Sequence, residues 1–232
     1  MLKNYTILLV SLIIISTAQG QIISKSVPSP VDSKGKYIFY LHGAILEEQG
    51  ENAVSEEYGP YEYNKILVSF KTGGFNVISE VRSKNTDIEK YAEKVIKQID
   101  TLVKSKIPAE NITVIGADKG AAIAMMVSTM MKNDKVNFVL MGGCFTGQGF
   151  VAAEKVKMCG NVLSIYEKSD KIAGTCQKIF DSGECIKSSN EVALSLNVGH
   201  AFLFKPYREW LMPSMQWATK NQFQPTKRPD QN

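Results

Sequence analysis

The sequence predicts an α/β protein with a doubly wound, mostly parallel sheet of about six strands and helices on both faces. Short apolar runs alternate along the chain with longer segments of helical periodicity, the pattern typical of parallel sheets. The 232 residues contain no internal repeat or linker, and 44% are hydrophobic against 22% charged. These values fit one globular domain around one core.

The first twenty residues have the layout of a secretory signal peptide. Lys3 precedes an apolar run from Ile7 to Ile15, and the exit Ala18-Gln19-Gly20 is made of small residues. An uncleaved membrane anchor is the weaker alternative, because a bilayer span needs roughly 20 apolar residues. We expect cleavage after Gly20 and export to the periplasm or the medium, followed by a mobile segment over residues 21–36.

The first strand is predicted at Tyr37–Leu41 and is followed by His42-Gly43-Ala44. A polar, acidic loop comes next, from Glu47 to Tyr63. Helical spacing from Tyr61 to Thr72 stops at two glycines, and Phe75–Ser79 is the second strand.

The next helix carries the clearest start signal in the chain. Thr86 and Glu89 have the spacing of a capping box, in which each side chain satisfies a free backbone donor of the other residue. One apolar stripe follows at helical spacing. Its members are Ile88, Tyr91, Ala92, Val95, Ile99, Leu102 and Val103.

The second half of the chain continues the alternation of strands and helices. The predicted elements are a strand at Ile112–Ile115, a helix from Lys119 to about Lys132, strands at Val136–Met141, Val162–Tyr166 and Val192–Leu196, and a helix from about Pro206, bent or restarted at Pro213. The single domain is expected to cover residues 37–221, with a disordered tail over residues 222–232.

Gly116-Ala117-Asp118-Lys119-Gly120 has the spacing of a nucleophile elbow, G-x-S-x-G, with Asp118 at the position of the serine. In this motif the small residues let a strand turn sharply into a helix, so that the central side chain is presented to the site.

Other polar residues also follow predicted strands, and the carboxyl ends of the strands form the site in a doubly wound sheet. Ser169-Asp170 follows the fifth strand and Gly199-His200 the sixth. The chain order Asp118, Asp170, His200 is therefore that of a nucleophile, an acid and a histidine. A solvated loop aspartate and a packed core histidine are the structural alternatives for the last two.

The elbow and these strand-end residues resemble the α/β-hydrolase superfamily, in a compact form without a cap domain, similar to dienelactone hydrolases and small esterases. The resemblance implies that His200 is a general base and that Asp170 fixes its tautomer. It also implies an oxyanion hole formed by the backbone N–H groups of Lys119 and Ala44. His42 would shape the Ala44 loop, and the Lys119 side chain would face solvent.

Two roles are considered for Asp118, one structural and one catalytic. Aspartate is a good helix N-cap, so the residue could be structural. Some superfamily members, similar to haloalkane dehalogenases and epoxide hydrolases, instead use an aspartate nucleophile that displaces a leaving group from saturated carbon. Water activated by His200 would then hydrolyse the alkyl ester on Asp118. Cleavage of ordinary esters through Asp118 should be poor, because a carboxylate leaves the tetrahedral intermediate readily, although His200 could direct water at a bound ester.

Composition limits the other classes of partner. A net charge of +4 is too small to indicate a nucleic-acid or membrane partner. The two histidines and the scattered cysteines lack metal-ligand spacing, and no glycine-rich segment has the context of a phosphate or dinucleotide site. We expect a small-molecule substrate, no cofactor and no metal, and the sequence leaves the oligomeric state open.

Four aromatic residues in the predicted loops could form a wall of the substrate pocket: Tyr58, Tyr61, Phe145 and Phe150.

The four cysteines of an exported chain permit disulfides. Cys176 and Cys185 are close together in a polar loop, so we expect that pair. Cys144 follows one strand and Cys159 precedes the next, which places them at opposite edges of a parallel sheet, too far apart to bond.

The sequence thus favours an exported hydrolase that acts on a small organic substrate, an ester or an alkyl-carbon electrophile, through Asp118, Asp170 and His200. The alternative is a binding protein of the same fold that has lost serine chemistry. In that case Glu47 and Glu48 could recognise the ligand, unless they belong to a solvated acidic loop.

Overall fold

A computed structural model describes residues 20–147 and 149–220 of the chain. The predicted leader, apart from Gly20, and the predicted tail lie outside this range. Within it, no helix is both long and apolar enough to cross a membrane.

Over these described residues the chain forms nine strands and six α-helices. The strands are β1 (Ile23–Ser24), β2 (Tyr37–Leu41), β3 (Val54–Ser55), β4 (Gly59–Pro60), β5 (Asn76–Ile78), β6 (Ile112–Ala117), β7 (Asn137–Met141), β8 (Cys159–Glu167) and β9 (Cys185–Leu194). The helices are α1 (Ala44–Gln49), α2 (Tyr63–Thr72), α3 (Ile88–Lys104), α4 (Lys119–Met131), α5 (Gln177–Asp181) and α6 (Arg208–Lys220). Short 3-10 helices span Ala109–Asn111, Ala153–Lys155 and Gly199–Leu203.

Seven strands form one sheet in the order β1-β5-β2-β6-β7-β8-β9, and every pairing within it is parallel. β3 and β4 form a separate antiparallel pair. Alternate residues of β2 point to opposite faces: Tyr37 and Phe39 pack in one core cluster with α3 and α4, and Ile38 packs in the other with α2 and α6. The predicted doubly wound sheet with helices on both faces is confirmed.

The sheet has one more strand than expected. Ile23 and Ser24 pair with Val77 and Ile78, although the sequence suggested a mobile segment there. This pairing forms because the backbone N–H and C=O groups at the edge of β5 can bond any extended segment that lies beside them. The N–H of Val77 donates to the carbonyl of Ile22 at 2.8 Å.

Two helix starts differ from the prediction. The loop predicted after β2 begins instead with α1, which buries Leu46 and Glu47. α3 is capped by Asp87, whose side chain accepts from the N–H of Lys90 at 2.8 Å, so the predicted capping box is wrong. Thr86 bonds the carbonyl of Ser83 instead.

The predicted Cys176–Cys185 disulfide is wrong, because the structure joins Cys144 to Cys176 and Cys159 to Cys185. β9 begins at Cys185, seven residues before its predicted start at Val192, and its register places Cys185 beside Cys159. Cys176 lies at the other edge, where the loop after β8 meets the loop after β7: the N–H of Gly174 donates to the carbonyl of Cys144 at 2.9 Å. A short separation along the chain therefore did not indicate proximity in the fold.

Candidate functional site

The elbow forms where the spacing predicted it. β6 ends at Ala117 and α4 begins at Lys119, with Asp118 between them at φ 53° and ψ −120°. A side chain at Gly120 would collide with the carbonyl oxygen of Leu41, and one at Gly116 with that of Gly120. Both elbow glycines are thus required by the close approach of neighbouring backbone.

The Asp118 carboxylate faces the site and does not cap the helix. Its side chain makes no cap hydrogen bond, although the residue occupies the N-cap position of α4. Its Oδ2 accepts from the backbone N–H of Ala44 at 2.8 Å, and its Oδ1 lies 3.7 Å from Nε2 of His200. The reading of Asp118 as a side-chain N-cap has no support in this geometry.

His200 lies between two carboxylates. It belongs to the 3-10 helix Gly199–Leu203, and its Nδ1 lies 2.7 Å from Oδ2 of Asp170. The other oxygen of Asp170 accepts from the N–H of Ile172 at 2.8 Å, which fixes the acid. Residues from three separate strand ends, Asp118, Asp170 and His200, therefore meet at one rim of the sheet.

This geometry determines the charge of the imidazole. Burial alone would lower the pKa of His200, but the Asp118 carboxylate at 3.7 Å and the hydrogen bond to Asp170 outweigh it and raise the pKa to about 9. Burial would raise the pKa of Asp170, but its hydrogen bonds to His200 and Ile172 lower the pKa below its usual value. The same contacts therefore favour the protonated form of the His200 imidazole.

The two backbone donors implied by the family resemblance lie next to Asp118. Ala44 is the first residue of α1, and its N–H is taken by Oδ2 of Asp118. Lys119 is the first residue of α4, so its N–H has no acceptor within the helix. The Asp118 carboxylate thus takes one of the two backbone donors that the resemblance implies for an oxyanion hole.

His42 shapes the loop that carries Ala44. The ring is buried, its Nδ1 lies 2.7 Å from the carbonyl of Gly43, and its Nε2 accepts from the N–H of Arg82 at 2.9 Å. Burial and then the nearby Arg82 guanidinium lower the pKa of His42 to about 3. The ring is neutral at physiological pH and serves as a fixed support.

Because the chain has only two histidines, proton NMR can test these charges directly. We expect one imidazole signal to titrate with a pKa of about 9, and the other to stay neutral down to the pH of acid unfolding. Replacement of His200 by glutamine assigns the signals. Two histidines that both titrate near 6.5 would contradict the described environments.

The same shifts give stability effects of opposite sign. The folded pKa of His42 lies below its ordinary 6.5, so its contribution to stability is lost as the pH falls from about 6.5 towards 3. The folded pKa of His200 lies above 6.5, so its contribution is present below 6.5 and is lost as the pH rises through about 9. In urea unfolding between pH 6.5 and 9.5, the free energy of unfolding should fall more steeply with pH for the wild type than for His200→Gln.

A buried ion network lies beneath the site, where the sequence suggested solvated side chains. Glu47 bonds Nε of Arg82 at 2.7 Å and Nζ of Lys119 at 2.6 Å. The side chain of Lys119 is only 12% exposed, so the expected solvent-facing lysine is wrong. That of Glu47 is only 2% exposed, so Glu47 is neither a solvated loop residue nor accessible for recognition. Nothing in the local sequence distinguishes Glu47 from the exposed Glu48, and no motif marks Arg82.

Glu167 is a further residue whose role the sequence did not indicate. Its buried carboxylate accepts from the N–H groups of Leu196 at 2.8 Å and of Ser169 at 3.2 Å. The hydroxyl of Ser169 in turn accepts from the N–H of Gly199 at 3.0 Å. Glu167 thus ties the loop of the acid to the loop of the histidine.

A cavity of about 240 Å³ opens on Asp118 and His200. Tyr58 and Tyr61 line it, as expected of an aromatic wall, together with Ile45, Ile172, Leu203 and Phe204. Phe145 and Phe150 instead pack against each other, with ring centroids 5.2 Å apart, and line another cavity of about 340 Å³. Within the described ranges, no three His, Cys, Asp or Glu side chains are grouped closely enough to hold a metal ion.

Comparison with solved structures identifies the fold. The chain is similar to an α/β serine hydrolase without a lid from Xanthomonas campestris, with a TM-score of 0.51 and 15% identity over 83% of this chain and 85% of that one. It is also similar to an α/β-hydrolase enzyme from a Medee basin deep-sea metagenome library, with a TM-score of 0.51 and 15% identity over 82% and 85%. A third such structure is the 2-hydroxy-6-oxo-6-phenylhexa-2,4-dienoate hydrolase of Rhodococcus sp. strain RHA1, with a TM-score of 0.51 and 13% identity over 80% and 90%.

No protein-family model and no curated protein sequence matches the chain. The structural likenesses show the α/β-hydrolase fold, as predicted. In residues 20–147 and 149–220, no cap domain interrupts the sheet.

Proposed function

We propose that this chain is an exported hydrolase of small organic electrophiles, in which Asp118 is the nucleophile, His200 the general base and Asp170 its orienting acid. The hydrogen bond from the Ala44 N–H to Oδ2 of Asp118, at 2.8 Å, carries this proposal. It fixes the carboxylate through one oxygen and leaves Oδ1 directed towards His200 and the cavity.

The first step forms an alkyl ester. Oδ1 of Asp118 attacks a saturated carbon of the substrate, the bond to the leaving group breaks, and the leaving group departs with the electron pair. A carboxylate has an ordinary pKa of about 4, so an ionised nucleophile needs no base at neutral pH. A serine at this position would need His200 in its neutral form.

Ester formation then prepares the base for the second step. Alkylation removes the negative charge of Asp118, which is one of the two groups that raise the pKa of His200. The pKa of the imidazole therefore falls, and the ring releases its proton to solvent or to the departing group. The neutral ring accepts a proton from water as that water attacks the ester carbonyl, whose oxygen is held by the Ala44 N–H. As the intermediate collapses, the bond to the alkyl oxygen breaks, that oxygen takes a proton from the His200 imidazolium and leaves as the alcohol, and the remaining carboxyl group loses its proton to restore the Asp118 carboxylate.

The occupied oxyanion hole favours alkyl-carbon substrates over esters. An ester substrate would need its own carbonyl oxygen at the backbone N–H groups, but the Ala44 N–H already bonds Asp118. An alkyl-carbon substrate does not need these N–H groups for its own oxygen. In the second step the negative charge develops on Oδ2 of Asp118, which the Ala44 N–H already bonds. The same contact that supports the nucleophile therefore argues against direct ester cleavage.

The cavity supports a small and largely apolar substrate. A dry cavity of about 150 Å³ accommodates benzene, so about 240 Å³ fits an aromatic ring with a few further atoms. Its walls are mostly aliphatic and aromatic, and its charged groups are Asp118 and His200, which also perform the chemistry.

Export remains part of the proposal. The layout of the leader supports it, and so do the two disulfides, since such bonds persist in oxidising compartments outside the cytosol.

Covalent trapping tests the proposed function. In His200→Gln the first step can proceed while the second lacks its base, so small epoxides and alkyl halides should attach about one alkyl group per protein molecule, whereas activated esters should leave no alkyl group. Mass spectrometry of the peptide that carries Asp118 locates the group. Asp118→Asn, treated identically, is the control and should stay unmodified.

If neither His200→Gln nor the wild type reacts with any compound of the panel, the hydrolase proposal is wrong. The chain would then be a binding protein with a retained cavity.

A further inference from the structure

The residues that support the site include a buried ion network that the chemistry above does not use. Its members are Glu47 on α1, Arg82 after β5 and Lys119 at the start of α4. The Arg82 side chain is fully buried and the Glu47 side chain is 2% exposed. Besides bonding Glu47, Arg82 donates through Nη2 to the carbonyl of His42 at 2.5 Å.

Stability alone does not explain such a network. Removing charges from water costs several kcal/mol per ion, and well-packed apolar side chains are often as stable as a buried ion pair. Unlike apolar side chains, the three charged groups form directional hydrogen bonds with one another. These bonds join three segments that are distant along the chain.

The network connects the two backbone donors of the oxyanion hole. One donor is the N–H of Ala44, the first residue of α1, and Glu47 lies one turn later on the same helix. The other is the N–H of Lys119, whose own side chain bonds Oε2 of Glu47 at 2.6 Å. Glu47 therefore links the Lys119 side chain to α1, the short helix that begins at Ala44.

The network also contributes charge. It contains one carboxylate and two cations and therefore carries a net positive charge beside the elbow. A fixed positive charge near the hole stabilises the negative oxygen that forms during ester hydrolysis.

We propose that Glu47 is a positioning residue that fixes the spacing of the Ala44 and Lys119 donors through its bond to Lys119. This inference rests on the proposed function. Because the donors act on the ester carbonyl, loss of the bond should slow hydrolysis of the alkyl-enzyme more than its formation.

The test compares Glu47→Gln with Glu48→Gln. Glu48 lies next to Glu47 on α1, but its pair with Lys84 is on the surface, with the two side chains 46% and 65% exposed. In Glu47→Gln we expect kcat to fall by about tenfold to a hundredfold, which approaches the loss of one oxyanion donor. The alkyl-enzyme should accumulate during turnover, while its rate of formation changes less than threefold. Glu48→Gln should behave like the wild type.

Glu47→Gln leaves two buried cations and could unfold, so Lys119→Met provides a second variant. It keeps the backbone N–H of Lys119 and the Glu47–Arg82 pair, and it should show the same accumulation of alkyl-enzyme. Thermal unfolding and the His200 NMR signal report whether each variant is folded.

The outcomes separate the two proposals. If folded Lys119→Met and Glu47→Gln hydrolyse the alkyl-enzyme at the wild-type rate, the positioning role is wrong while Asp118 remains the nucleophile. If formation and hydrolysis slow equally, the role is also wrong, because the damage is then general. Absence of any adduct in His200→Gln would instead refute the proposed function.

Discussion

Replacing Asp118 by asparagine is expected to reduce kcat/KM by at least about ten-thousandfold on any compound that alkylates the wild type. The amide is nearly isosteric with the carboxylate but is not a nucleophile. Asparagine also tolerates the positive φ of 53° at the elbow better than most residues do, so the fold should be retained. Steady-state kinetics and the missing adduct together measure this effect.

The same variant has a second readout at the imidazole. Asp118 is one of the two carboxylates that raise the pKa of His200 to about 9, so its removal should lower that pKa, while His42 should stay neutral over the same pH range. Retained turnover in Asp118→Asn would contradict the covalent mechanism. It would indicate that His200 directs water straight at the substrate.

Replacing Asp118 by serine should create an esterase. The hydroxyl is too short to keep the carboxylate's bond to Ala44, so that N–H and the N–H of Lys119 become available for a substrate carbonyl. The His200–Asp170 pair at 2.7 Å remains to activate the serine. Loss of one neighbouring carboxylate also moves the pKa of His200 towards the range of a general base.

We expect hydrolysis of short activated esters to rise at least about a hundredfold above the wild type, together with stoichiometric labelling by a fluorophosphonate. The double variant Asp118→Ser, His200→Gln is the matched control and should lose both gains. A folded Asp118→Ser protein that neither cleaves esters nor labels would show that the site has decayed beyond its nucleophile. That result would favour the binding-protein alternative.

The sequence alone determined the features that local chemistry encodes. The alternation of apolar runs and helical periodicity predicted the doubly wound sheet, and the glycine spacing at Gly116 and Gly120 predicted the elbow. The order of Asp118, Asp170 and His200 after successive strands was enough to place them at one rim, because the carboxyl ends of parallel strands share an edge. Each of these inferences needs only neighbouring residues or the direction of a strand.

Contacts between distant groups depend on tertiary packing. The burial of Glu47 and not of Glu48, the pairing of Cys176 with Cys144, and the bond from Ala44 to Asp118 each depend on contacts between segments separated by about 30 residues or more. The energies of such contacts come from the removal of water and from the alignment of atoms on different elements, which no local pattern of residue types records.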